Sequence, residues 1–224
     1  TLAGSGVDIF AEELISEAKV IQIDAANQHS EQVSQITYLA DNKAHKQALL
    51  KSIITQTDCT TALVFCNKKE QANDVANWLQ SRNISAQVMH GDFNQATRRD
   101  KTRKFRQGII KVMVATDVAA RGLDLNNISH VINYDLPFRG DIYIHRIGRT
   151  GRAEQTGTAI NLVEHHDKKH LERIEYHLKK ALPLSKIKGL EPKSSKKKGK
   201  KNKSDKPRYI AKKDRLKVEQ ETND

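Results

Sequence analysis

The sequence holds only two cysteines in 224 residues, Cys59 and Cys66. Neither belongs to a C-x-x-C pair and no second pair follows, so a zinc site has no ligand spacing to stand on. Two buried or idle thiols in a reducing compartment is the reading that remains. No apolar run reaches membrane-spanning length and no signal peptide is present, so a cytoplasmic protein with no membrane partner is expected. Also missing is the G-x-x-x-x-G-K-[ST] phosphate loop, without which the chain lacks the usual cradle for a nucleotide's phosphates. Hydrophobic residues make up 37% and aromatic residues 5%, enough to build a core for part of the chain. The chain begins at Thr1 with no Met, as expected of a piece of something longer.

Positive charge is plentiful but unevenly placed. The formal net charge is +12; residues 183–224 carry 15 Lys/Arg against 6 Asp/Glu, leaving a net of only +3 on everything before them. The body is an ordinary domain, and the tail, with its SSKKKGKKNKSDKPR run, is the polyanion-seeking part. The tail has almost no periodic apolar residues and no apolar face to insert into a membrane. It is expected to be disordered, because too little apolar area offsets the ordering entropy.

Between the ends, the pattern alternates. Residues 1–27 read as a short helix and then a brief strand over 19–23, and 25–35 as a linker. Val33–Ala40 reads as an edge strand, and Lys43–Thr55 has helical spacing at Ala44, Ala48, Leu49 and Ile53. TALVFC (61–66), AQVMH (86–90), KVMVAT (111–116), HVINY (130–134) and TAINLV (158–163) are short apolar runs, as in strands buried on both faces. Lys68–Ser81, Gln95–Arg106 and His166–Leu182 read as helices, the last with Leu171, Ile174, Leu178 and Ala181 inward. Strands separated by helices imply right-handed crossovers and an open, three-layer parallel α/β sheet.

In such a sheet ligands bind beyond the carboxyl ends of the strands. Those ends are followed by Asn67-Lys68-Lys69, by His90-Gly91-Asp92 with Gln95 and Arg98, by Thr116-Asp117 and then Ala119-Ala120-Arg121-Gly122-Leu123-Asp124, and by Asp135-Leu136-Pro137. Before the last strand lies HRIGRTGR (145–152), where Arg146, Arg149 and Arg152 recur every three residues with glycines at 148 and 151. Guanidinium forks suit phosphate oxygens, and glycines let backbone approach closely; the bland alternative is a solvated basic loop. Thr116 could hold a phosphate and Asp124 a ribose hydroxyl; equally, Asp117 could cap a turn that Gly122 ends. Arg98, one turn into the helix after Gly91-Asp92, would favour a phosphate together with the helix N-terminus. The histidines at 165, 166 and 170 read as an exposed helix start, Trp78 as packing and Cys66 as core.

These segments resemble the carboxy-terminal lobe of the DEAD-box RNA helicases. HRIGRTGR, VATDVAARGLDL (114–125), His90-Gly91 with Gln95-x-x-Arg98, and LVFCNK (63–68) stand in the family's order, and the resemblance covers about 33–182. It implies a RecA-like lobe over 33–182. Residues 1–32 would be a remnant of the amino-terminal lobe with a linker, Thr1-Leu2 resembling the end of that lobe's Ser-Ala-Thr motif, and 183–224 the disordered tail. It implies an ATP-dependent RNA helicase, in which Arg149 and Arg152 reach the γ-phosphate as arginine fingers. His145 would couple the lobes, Gly122 and Asp124 would meet the ribose, and Gly91, Arg98 and Thr116 the RNA backbone. ATP with Mg²⁺ would sit mainly on the amino-terminal lobe, so this chain alone is expected to be inactive. At one position the chain departs from the family: Glu154 follows Ala153 where the family has Gly, a strained position if its φ is positive. The Val163-Glu164 ending, the GD-x-Y-x-H run at 140–145 and the Lys-rich tail most resemble bacterial members that assist ribosome assembly, implying ribosomal RNA or pre-ribosomal particles as partners. Two other readings compete: a basic-tailed RNA chaperone that uses no ATP, and the lobe of a DNA helicase.

Overall fold

Runs of four apolar residues, flanked by polar ones, are long enough to cross a sheet and too short for a stable helix. In the computed structural model, which describes residues 33–121, 128–151 and 157–193, these runs become strands of one sheet. The elements are β1 (Val33–Leu39), α1 (Lys43–Ile54), β2 (Ala62–Phe65), α2 (Lys69–Gln80), β3 (Ala86–Met89), α3 (Gln95–Arg106), β4 (Val112–Ala115) and α4 (Asp117–Ala120). They continue with β5 (His130–Asn133), α5 (Gly140–Ile147), β6 (Gly157–Val163), a 3₁₀ turn (His165–Asp167), α6 (Lys168–Leu178) and β7 (Leu184–Ser185). Every pairing is parallel, in the order β3-β4-β2-β5-β6-β1-β7.

Alternation along the strands divides the core in two. Val64, Val112, Val114 and Ile132 face α1 and α2, packing with Leu49, Leu50, Ile53, Val75 and Leu79. Their neighbours Leu63, Phe65, Met113 and Val131 face the other way, onto Phe105 of α3 and Ala119 of α4. Further along that face, Tyr143 and Ile147 of α5 and Ile174 of α6 pack with Val33, Ala159 and Val163. Helices therefore cover both faces, and β2, β4 and β5 are buried throughout. This is the expected three-layer parallel sheet. Among the described residues no helix is long and apolar enough to cross a membrane.

Four features differ from the expectation. Residues 140–147, with no element assigned from sequence, form α5. The segment expected as a helix over His166–Leu182 starts with the 3₁₀ turn and stops at Leu178, because Lys179 turns left-handed (φ 52°); Ala181 lies beyond it and is exposed. β1 is not the outermost strand, since β7 pairs along Thr37 and Tyr38. Finally, residues 183–193, counted with the tail from sequence, belong to the fold. Thr37 donates its backbone N–H to Pro183 O at 2.8 Å, and Ile187 and Leu190 pack on the core. His45 Nε2 lies 2.9 Å from Leu190 O, and Lys193 N–H donates to Asp41 Oδ2 at 2.8 Å. The expectations for 1–32 and for 194–224 lie outside the described residues.

Candidate functional site

The carboxyl ends of the strands form one rim, and two arginines three residues apart behave in opposite ways on it. Arg146, on the inner side of α5, has a side chain only 1% exposed. Its Nε donates to Asp117 Oδ1 at 2.7 Å and its Nη2 to Asp117 Oδ2 at 2.8 Å. The same Nη2 donates to Asn67 Oδ1 at 2.9 Å, and Nη1 to Asn133 Oδ1 at 3.1 Å and to the Asp135 carbonyl at 2.6 Å. A guanidinium has five N–H donors, and all five are used. The group also lies over the Phe65 ring, 4.8 Å from its centre. One cation thus ties together the segments after β2, β4 and β5. It has no donor left for a phosphate, so the reading of 146, 149 and 152 as three equivalent phosphate-seeking arginines fails at Arg146.

Arg149 lies just past α5. It is half-buried and lines a small depression with Phe65, Asp117, Ala120, Arg121, Ile142, His145 and Arg146. His145 and Arg149, four apart, share the outward side of the helix end, and Arg121 completes a set of three basic side chains there. Sequence reasoning quoted Arg121 within VATDVAARGLDL but gave it no role. The turn is fixed from beneath. The buried Thr150 hydroxyl donates to the carbonyls of Ile128 and of Ser129, the latter at 3.2 Å, and Gly151 adopts φ +67°. A Cβ at Gly157 would collide with Thr150 Oγ1 and the Gly151 backbone, so this glycine serves the approach of protein to protein. Arg152, Gly122, Asp124 and Glu154 lie outside the described residues.

The other end of the rim is more open. Thr116 is the N-cap residue of α4, although its side chain makes no capping bond. The alternative of Asp117 as the cap is not what forms: Asp117 is the first helical residue, its carboxylate turned to Arg146, and the C-cap is Arg121. Arg98, on the first turn of α3, donates from Nη2 to the Ala119 carbonyl of α4 at 2.9 Å, while its buried Nε has no hydrogen-bond partner. Gly91 is exposed, and a Cβ there would meet nothing within 4 Å. His90 stacks on Phe93 with ring centres 4.4 Å apart, and its Nδ1 also lacks a hydrogen-bond partner. Thr116, Gly91 and Arg98 are thus brought to one corner, where Thr116 N–H donates to Met89 O at 3.2 Å.

A second buried cation went unread in the sequence. Lys46, 2% exposed, sits 3.6, 3.5 and 3.6 Å from Asp135, Glu164 and Asp167, beside the Tyr134 ring. It balances the acidic groups gathered at the ends of β5 and β6. Cys66 is fully buried. Burial foremost, then the nearby Asp135, holds its thiol well above the usual range, so it is core and not a nucleophile. Burial likewise pushes Cys59 up to about 11. Trp78 packs against the core and carries Arg82 over its ring at 4.0 Å. Among the described residues no three His, Cys, Asp or Glu are grouped to hold a metal ion.

A model of the helicase conserved C-terminal domain matches residues 44–154. The chain is 38% identical over 194 residues to the ATP-dependent RNA helicase SrmB of Escherichia coli, covering 87% of this chain and 44% of that protein. The Haemophilus influenzae SrmB matches at the same identity and coverage. The chain therefore spans less than half the length of these curated relatives. Among solved structures, E. coli DEAD-box protein SrmB bound to regulator of ribonuclease activity A is 41% identical, with a TM-score of 0.70 over 72% of this chain and 95% of that one. Yeast Dbp5 bound to RNA and ADP BeF3 is 28% identical, with a TM-score of 0.70 over 85% of this chain and 49% of that one.

Proposed function

The chain belongs to the DEAD-box RNA helicases as their carboxy-terminal helicase domain, and from that premise we propose that it is half of an ATP-driven RNA motor. Arg149 is the group it presents to the γ-phosphate of ATP held on an amino-terminal lobe, with Arg152 as a second finger. The observation that carries this reading is the split between neighbours. Arg146 has all five N–H donors inside the protein, whereas Arg149 lies in a surface depression beside Arg121 and His145. That donor set is cationic. It fits phosphate oxygens and not a metal ion, so the Mg²⁺ that accompanies ATP belongs to the amino-terminal lobe.

At the other corner, Thr116, Gly91 and Arg98 hold the RNA sugar-phosphate backbone. Contacts of that kind carry little base information, so binding is sequence-tolerant. Gly122 and Asp124 meet the ribose of the nucleotide, and His145 couples the lobes. Because ATP and RNA each touch both lobes, each favours the closed cleft, and the two ligands promote one another's binding. Closure bends one RNA strand and releases its partner; loss of phosphate reopens the cleft. Phosphoryl transfer needs mainly stabilisation of developing charge, which the guanidinium of Arg149 supplies. This chain alone turns over ATP negligibly. Ribosomal RNA in pre-ribosomal particles is the substrate class assigned, and the basic tail adds salt-dependent affinity for it.

The test is Arg149→Ala in the full-length protein. RNA-stimulated ATP hydrolysis is expected to fall by about a thousandfold, with RNA affinity nearly unchanged. Equal losses in hydrolysis and in RNA binding would remove the finger assignment.

A further inference from the structure

Helix α4 is only four residues long, and both halves of the site hold on to it. From the RNA-facing corner, Arg98 donates to the carbonyl of Ala119 at 2.9 Å, and Thr116 is the residue that starts the helix. From the nucleotide-facing side, Asp117 takes two N–H groups of Arg146 at 2.7 and 2.8 Å. Ala120 and Arg121, at the end of α4, line the depression that holds His145 and Arg149. Arg146 stands on α5 between those two basic residues. The fork is planar, buried and fully bonded, and its other acceptors belong to Asn67, Asn133 and Asp135 at the ends of β2 and β5. A shift of α4 relative to α5 therefore breaks charge-assisted bonds to a guanidinium only 1% exposed, paired with a carboxylate 26% exposed.

We infer that the Arg146–Asp117 pair is a positioning device that couples the RNA side of this lobe to its nucleotide side. It keeps α4 and α5 in one arrangement. The placement of Thr116 and Arg98 that suits an RNA backbone is then also the placement in which Arg149 and His145 meet the nucleotide. Arg146 has every donor used within the protein, and the Asp117 carboxylate is turned to it, so each acts through the groups it holds. This inference rests on the proposed function above, since it needs RNA and nucleotide to occupy the two ends.

The experiment measures coupling and not activity. In the full-length protein, the dissociation constant of a fluorescent single-stranded oligouridine is measured without nucleotide and with ADP and beryllium fluoride. The ratio of the two constants is the coupling factor, expected between about 5 and 150 for the unaltered protein. Asp117→Asn keeps the shape but removes the charge. It is expected to lower that factor to within about twofold of unity, while nucleotide-free RNA affinity moves by less than about threefold. Asp117→Glu, which restores the carboxylate, should recover much of the factor. An unchanged factor in Asp117→Asn overturns the inference. So does an equal loss of RNA affinity with and without nucleotide, which is what a merely structural contact would produce. Should Asp117→Asn fail to fold, Asn67→Ala removes one acceptor of Arg146 and leaves the ion pair. A smaller drop in the factor is then expected, and no drop overturns the inference. A factor of one in the unaltered protein would overturn the proposed function itself, and this inference with it.

Discussion

The two ends of one rim use their polar groups in contrasting ways. At the β2–β4–β5 end, the Arg146 guanidinium meets five acceptors, and nearby Lys46 meets three carboxylates. At the β3 end, the Arg98 Nε and the His90 Nδ1 have no hydrogen-bond partner, and the space above Gly91 is open. A saturated network holds elements in place, and a region with unused donors and open backbone is where a ligand can still be bound. Residue type does not separate the two roles: Arg146 and Arg149 are identical in kind and three residues apart. Burial separates them.

Substitutions can break that contrast. The largest effect on folding is expected from Arg146→Ala, which strands Asp117 and the acceptors of three other residues, Asn67, Asn133 and Asp135. Losing one member of a buried pair costs about 3–5 kcal/mol, against a smaller loss, about 1 kcal/mol, for the half-buried Arg149→Ala. Urea denaturation of the two variants measures both, and similar losses would erase the distinction. The glycines offer the same contrast on a smaller scale. Gly157→Ala drives a Cβ into Thr150 and the Gly151 backbone and should cost about 1–3 kcal/mol by overpacking. Gly91→Ala meets nothing and should leave stability alone. It should nevertheless weaken RNA binding by up to about tenfold, the worth of one good hydrogen bond. An RNA affinity unmoved by Gly91→Ala would mean the open corner is not the RNA path.

The smallest effect is one of pH. His130, buried at the start of β5, is held below its ordinary value of 6.5, chiefly by burial, with Asp58 opposing. A base whose folded value is depressed binds its proton more readily in the unfolded chain. Its neutral form therefore supports the fold fully above about 6.5, and that support declines as pH falls toward the folded value. Denaturation midpoints should drop between pH 7 and 5, and less steeply in His130→Gln. An equal slope in the variant would assign the acid sensitivity to other groups.

The buried strands were legible because TALVFC, KVMVAT and HVINY are apolar on both faces, and a parallel sheet is the fold that needs such strands. The helix α3 was legible over its whole length, Gln95–Arg106. α5 was not, because eight residues with Gly, Asp, His and Arg among them offer little helical period. Its apolar stripe, Tyr143 with Ile147, would have placed Arg146 on the inner side and His145 on the outer. The five partners of Arg146 come from residues 67, 117, 133 and 135, and no local pattern announces them. β7 is two residues long and held by one neighbouring strand, which is below what periodicity can detect. At the site, the sequence reading named Thr116, Gly91 and Arg98 for RNA, and the fold sets them at neighbouring strand ends. Spacing alone did not separate Arg146 from Arg149, because it carries no information about burial; only the family resemblance left Arg146 without a ligand role.

The central claim concerns where the Arg149 guanidinium goes when both ligands are bound. A crystal structure of the full-length protein with RNA, ADP and beryllium fluoride tests it directly. The account predicts Arg149 nitrogens about 2.7–3.2 Å from the γ-phosphate mimic, with Arg146 still joined to Asp117. Arg149 turned away into solvent, or Arg146 released from Asp117 to take its place, would contradict it.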